Sequence, residues 1–191
     1  MRVLIIIGSP RKKGNSHNLL DYTTKELTKR NIPFDVFDAG VIDSVHPCLD
    51  CGRCNYGKCF YKDPFSEVVT KFQDYTDVIW ITPIYFFQLT AQSKMCLDRL
   101  GASPYWKDTR FYLFVVSGSS GYLGGYDIIV DTFKRIETWH KCRLKYAFNK
   151  VTHDKTEPLT IEDKQEIQCV VNMIESKVAK DETEKEDGEQ Y

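Results

Sequence analysis

The chain has 191 residues, a length that suits one α/β domain with a full core. Hydrophobic residues make up 42% and aromatics 13%, which excludes a disordered main body, and no apolar run approaches the roughly 20 residues that cross a bilayer. The net charge of −1 is unevenly placed: residues 181–191 hold six acids against Lys185, leaving a mildly basic body that is too weakly charged to argue for nucleic acid. A cytoplasmic protein with no membrane and no nucleic-acid partner is expected, with one domain over residues 1–180 and a solvated, disordered acidic tail over 181–191.

The first element is an apolar strand, Val3 to Ile7, followed by Gly8-Ser9-Pro10-Arg11-Lys12-Lys13-Gly14-Asn15-Ser16 and a helical pattern with Leu19, Leu20 and Leu27. A strand, a small-residue loop and a helix start together form a phosphate-binding arrangement, because the helix opens with unpaired N–H groups and a partial positive charge. Ser9 and Ser16 add hydroxyls, Asn15 an amide and Arg11 a planar fork for phosphate oxygens. Ser16 is the expected N-cap. A Walker A loop is excluded, since five residues separate Gly8 from Gly14 and Asn15 stands in the lysine position. The dinucleotide fingerprint is absent too.

A short edge strand over Pro33–Asp38 leads into a cysteine-rich insertion at 40–62. Asp63-Pro64 caps a helix with Phe65, Val68, Val69 and Phe72 on one face. Asp77 to Thr82 is a third strand covered on both faces, and Leu89, Ser93, Cys96, Leu97 and Leu100 mark a helix ending at Gly101. Phe111–Val116 is the fourth strand, Tyr126, Ile129, Val130, Phe133 and Ile136 a helix, and Leu144–Phe148 the fifth strand. Thr160 and Asp163 open a last helix. Five strands alternating with five helices predict a doubly wound parallel sheet.

Two further strand exits are unusual. Thr82-Pro83-Ile84-Tyr85-Phe86-Phe87-Gln88 is apolar and aromatic where a polar turn is the norm, which needs an apolar ligand or a subunit contact. The segment Ser117 to Gly125 carries Gly118, Gly121, Gly124 and Gly125, which permit close backbone approach to a ligand.

Seven cysteines are present, and Cys48, Cys51, Cys54 and Cys59 follow C-x2-C-x2-C-x4-C. Dense disulfides do not suit a cytosolic α/β protein, so thiolate chemistry is the sharper reading. The spacing approaches a ferredoxin run, although the proline that follows there is missing. A [4Fe–4S] cluster, zinc and free thiols all stay open. Cys96, Cys142 and Cys169 fall in element patterns and read as packing residues.

Gly-Ser-Pro-Arg-x-x-Gly-Asn-Ser at 8–16, Thr82-Pro83-Ile84-Tyr85-Phe86 with Ala91-Gln92 and Lys94, and Leu97-Asp98-Arg99 together resemble the signatures of the NADPH-dependent FMN reductases. The cysteine segment is similar to that of the iron–sulfur flavoprotein branch. The resemblance, over about residues 3–125, implies a flavodoxin-like five-stranded sheet in the order 2-1-3-4-5, with the cysteine-rich loop after strand 2. It implies FMN held by Ser9, Arg11, Asn15 and Ser16 at the phosphate. Pro83, Ile84, Tyr85 and Phe86 would lie on one side of the ring, and Ser117, Gly118, Ser119 and Gly121 on the other. It further implies electrons taken from NAD(P)H and passed to a small acceptor such as flavin or quinone. The alternative is an electron carrier relaying from ferredoxin-type donors through [4Fe–4S] and FMN to a redox protein. No general acid or base stands out. A homodimer or homotetramer is expected from the apolar surface of the aromatic exit and the cysteine segment.

Overall fold

The computed structural model describes residues 2–41, 43–54, 58–101, 103, 106–120 and 124–188, with side chains up to residue 176. In chain order these form β1 (Val3–Ile7), α1 (Asn15–Lys29), β2 (Phe34–Asp38), α2 (Pro64–Lys71), β3 (Asp77–Tyr85) and β4 (Gln88–Leu89). There follow α3 (Ala91–Leu100), β5 (Arg110–Ser117), α4 (Tyr126–His140), β6 (Arg143–Val151) and α5 (Ile161–Gly188). The parallel sheet runs β2-β1-β3-β5-β6, the expected 2-1-3-4-5 order once the two-residue β4 is set aside. β4 pairs antiparallel with the end of β3. Among the described residues no helix is long and apolar enough to cross a membrane.

Alternation along each strand sorts the core into two layers. Leu4, Ile6, Val78, Trp80, Leu113 and Val115 face Phe65, Val69, Cys96, Leu97, Ile129 and Phe133 on α2, α3 and α4. Val3, Ile5, Ile7, Ile79, Ile81 and Phe114 face Leu19 and Leu27 of α1 and Ile167, Val170, Val171 and Ile174 of α5. β1 is buried at every position because it has a strand on each side and helices on both faces.

Two helix starts follow the expected chemistry. Asp63 accepts the Ser66 N–H at 3.0 Å while Ser66 Oγ accepts the Asp63 N–H at 3.2 Å, a reciprocal cap that Pro64 extends. Asp163 N–H donates to Thr160 Oγ1 at 3.1 Å, and Thr160 N–H donates to Asp163 at 2.9 Å. The start of α1 differs from expectation. The helix opens at Asn15 behind an extended Gly14, and no side chain caps it. Ser16 therefore lies inside the first turn; the His17 and Asn18 N–H groups donate to the Gly14 carbonyl at 2.9 and 3.1 Å, leaving the Asn15 and Ser16 N–H groups without an intrahelical partner.

The carboxyl end of β1 is tightly constrained. Gly8 N–H donates to the Ile81 carbonyl at 2.9 Å, and Thr90 Oγ1 donates to the Gly8 carbonyl at 2.7 Å. A β-carbon on Gly8 would stand 1.7 Å from Ser93 Oγ, so α3 packs against bare backbone here. We expect Gly8→Ala to destabilise the chain by about 1–3 kcal/mol, read as a lower urea midpoint at unchanged slope.

Candidate functional site

The phosphate loop leaves β1 at the edge of a cavity of about 260 Å³ on the carboxyl side of the sheet. Ser9, Arg11, Asn15 and Ser16 line one end of it. Ser9 is buried and its Oγ lies 3.4 Å from the Arg11 N–H, which orders the start of the loop. The neighbouring cation Lys12 points elsewhere, to Asp38 at the end of β2, 2.5 Å away.

Pro83, Ile84 and Tyr85 line the same cavity. They are not a loop, as the sequence predicts, but the last residues of β3, which then turns back into β4 with Tyr85 opposite Gln88. The turn residues Phe86 and Phe87 have φ of 50° and 66°, the left-handed values a two-residue hairpin demands at both central positions. Asn-Gly usually supplies them, so a Phe-Phe turn is strained and needs outside support. Gly125, at the start of α4 with φ of 71°, packs against it: a β-carbon there would meet Phe87 Cα at 2.7 Å. Phe86 is 94% exposed at the hairpin tip and does not line the cavity.

The exit of β5 closes the opposite side with Val116, Ser117 and Gly118. Ser117 Oγ donates to the Ser119 carbonyl at 2.7 Å and lies 2.9 Å from the Asn149 side chain, so its hydroxyl shapes the loop. Ser119 does not line the cavity, and Gly121 lies outside the described residues. Nine of the twelve flavin residues expected from sequence are thus brought together, from three separate strand exits.

Sequence reasoning missed one wall. Thr152, His153, Asp154 and Lys155, which follow β6, also line the cavity. Thr152 is tied to β5 by its N–H, which donates to the Ser117 carbonyl at 2.8 Å. The signal was available in principle: every parallel strand delivers its exit to the same edge of the sheet, and this exit is a run of polar residues. It also engages Asn15, whose Nδ2 donates to the Asp154 carbonyl at 2.9 Å while its Oδ1 accepts the Glu157 N–H at 2.6 Å.

The cysteine segment follows β2. Cys48, Cys51 and Cys54 are exposed and Cys59 is half-buried. Burial pushes the Cys54 thiol up, and the nearby Cys59, Cys48 and Cys51 push it further, so the four sulfurs are electrostatic neighbours. They are not gathered into a ligand set: among the described residues no three or more His, Cys, Asp or Glu side chains converge as a metal site. The donor chemistry suits iron–sulfur or zinc, while the placement does not close around either. Cys96 and Cys142 are buried in the core as expected, and burial pushes the Cys142 thiol up to about 11.

Beneath the segment lies a buried ion pair. The Arg99 guanidinium donates to Asp63 and, at 3.0 Å, to Ser66 Oγ, and lies over the rings of Tyr61 and Phe65 at 5.5 and 5.3 Å. His46 Nδ1 adds a contact to Asp63 at 3.0 Å and stacks on Tyr61. Residues 46 and 61 are thereby anchored to the helix layer, and Cys59 packs against the same core.

A family model of NADPH-dependent FMN reductases matches residues 1–127, the stretch that contains the phosphate loop, the cysteines, the aromatic hairpin and the β5 exit. The chain belongs to this family. An iron–sulfur flavoprotein of Archaeoglobus fulgidus is 34% identical over 102 residues, covering 52% of this chain and 46% of that protein. One of Methanocaldococcus jannaschii is 32% identical over 100 residues, covering 52% and 51%. The matches therefore span about half the length of these relatives. In fold, this FMN reductase family member is similar to an FMN-dependent NADH-azoreductase of Bacillus anthracis solved with FMN, with a TM-score of 0.65 at 14% identity over 94% of this chain and 100% of the other. That likeness shows the flavodoxin-like fold.

The Asp63 carboxyl shows how the cysteine base responds to acid. Burial alone would raise its pKa, but hydrogen bonds from Arg99, His46 and Ser66 outweigh that and hold it well below the usual carboxylate range. A depressed folded-state pKa stabilises the fold above the unfolded value, about 4, and the contribution is lost as pH falls below it. Asp63→Asn should cost about 3 kcal/mol near neutral pH, because it leaves Arg99 buried without its anion. The gap from wild type should narrow below about pH 4 in urea titrations run across pH.

Proposed function

We propose that this chain is an FMN-dependent oxidoreductase that takes electrons from NAD(P)H and passes them to a small acceptor such as flavin or quinone. The observation that carries the reading is the convergence of the β1, β3 and β5 exits on one cavity with a polar, cationic end and an apolar wall. That composition suits FMN: a phosphate at one end and a flat apolar ring at the other. A volume of about 260 Å³ suits the phosphate and its chain, with the ring reaching past Tyr85 toward the hairpin tip.

In this reading the Arg11 fork, the Ser9 and Ser16 hydroxyls and the N–H groups opening α1 hold the phosphate. Pro83, Ile84 and Tyr85 pack one side of the ring, and Ser117 and Gly118 approach the other with backbone. Phe86 stands beyond the lip, where it covers the ring or an incoming substrate and excludes water. Bound FMN would supply hydride acceptance and the release of electrons singly or in pairs. The protein supplies orientation, charge and access. The exposed Phe86 and Phe87 favour a homodimer or homotetramer that covers them.

Purified protein should be yellow and release FMN on denaturation. Arg11→Ala combined with Ser16→Ala should lower flavin occupancy at least tenfold, since each removes a charge-assisted or polar phosphate contact. Colourless protein that cannot be reconstituted with FMN defeats the reading.

A second reading is favoured by the four neighbouring sulfurs and by the name the relatives share: an electron carrier with a [4Fe–4S] cluster on Cys48, Cys51, Cys54 and Cys59, exchanging electrons with ferredoxin-type proteins. Anaerobically purified protein would then contain about four irons and matching sulfide per chain. It would be reduced faster by ferredoxin than by NAD(P)H in stopped flow. Iron-free protein with full flavin and rapid NAD(P)H reduction leaves the first reading alone.

A further inference from the structure

The turn between β6 and α5 lies outside the family's matched stretch, yet it is fastened to α1 more firmly than its exposure suggests. Asn15 uses both ends of its amide on it, at the Asp154 carbonyl (2.9 Å) and the Glu157 N–H (2.6 Å). One turn farther along α1, Asn18 Nδ2 donates to the Glu157 carbonyl at 2.7 Å. The Glu157 carboxylate accepts the N–H groups of His153 at 2.6 Å and Asp154 at 2.7 Å, closing the turn on itself. Backbone meets backbone as well: the Lys155 carbonyl lies 3.3 Å from where a β-carbon on Gly14 would stand. Lys155 is therefore held beside the open N-terminus of α1.

Charge points the same way. Arg11 and Lys155 line the cavity without a carboxylate partner among the described residues, whereas Lys12 is taken by Asp38. The acid on the same lining is Asp154, which is exposed. A phosphate monoester carries close to two negative charges near neutral pH. One guanidinium balances one of them.

Resting on the reading of this cavity as a flavin-phosphate site, we propose that the β6–α5 turn is its fourth wall. Lys155 supplies the second cation to the phosphate monoester. Asn15 is a positioning residue that fixes the wall and is not itself a phosphate ligand.

Flavin-free full chain, titrated with FMN and with riboflavin by fluorescence quenching, separates phosphate contacts from ring contacts. Lys155→Ala should weaken FMN about tenfold and leave riboflavin unchanged, and Lys155→Arg should restore FMN. Asn15→Ala should weaken FMN and also raise amide hydrogen exchange across 153–157 before any flavin is added, which loss of a mere phosphate contact would not do. If Lys155→Ala binds FMN like the parent while Arg11→Ala loses the preference for FMN over riboflavin, the phosphate is where the loop puts it and the fourth wall is wrong. If neither variant alters that preference, the reading of the cavity falls and the wall falls with it.

Discussion

The end of β1 is the constraint on which the other features depend. A central strand with neighbours on both sides and helices on both faces can leave the sheet only at its carboxyl end, and there Gly8 is pinned between the Ile81 carbonyl and Thr90 Oγ1. With Ser93 close enough to forbid a side chain, the backbone passes through one narrow gap before it can turn into α1. That passage aims the uncapped first turn of α1 at the cavity. A residue larger than glycine would shift the turn and its N–H groups together.

Around that fixed point the protein places two kinds of wall. The hairpin at the end of β3 is a strained element, with two phenylalanines in left-handed conformations, held because Gly125 leaves room for their backbone. Such strain is retained where the surroundings over-determine it, and here it projects aromatic surface beyond the rim of the cavity, continuing the apolar wall of Pro83, Ile84 and Val116. The β6–α5 turn is the opposite case. It carries little apolar burial, and side-chain amides and one carboxylate give it a definite shape.

The cysteine segment has no strand or helix of its own to define it, so its order comes from the base on which it rests. The Arg99–Asp63 pair is buried: Asp63 accepts from Arg99, Ser66 and His46, and Arg99 donates to Asp63 and Ser66 while its Nε has no partner among the described residues, so the pair fixes one arrangement without saturating every donor. Cys59 packs against the core beside this pair, while the three cysteines before it stay exposed.

Much of this was legible in the chain itself. Alternation of apolar runs with helical periodicity identified each strand of the parallel sheet, and Asp63-Pro64 and Thr160 with Asp163 announced their helices, because caps and buried strands are local properties. The phosphate loop was legible for the same reason. Other features depend on contacts between distant residues. Nothing in Phe86-Phe87 signals a hairpin, since the support is a glycine some forty residues on. Nothing in Asn15 shows that its amide is taken by residues 154 and 157, or in Arg99 that it lies under a cysteine. Local sequence determined which segments could form elements and carry ligand chemistry. The tertiary structure decided which polar groups were left free to use it, because a hydrogen bond already made inside the fold is no longer available to a ligand.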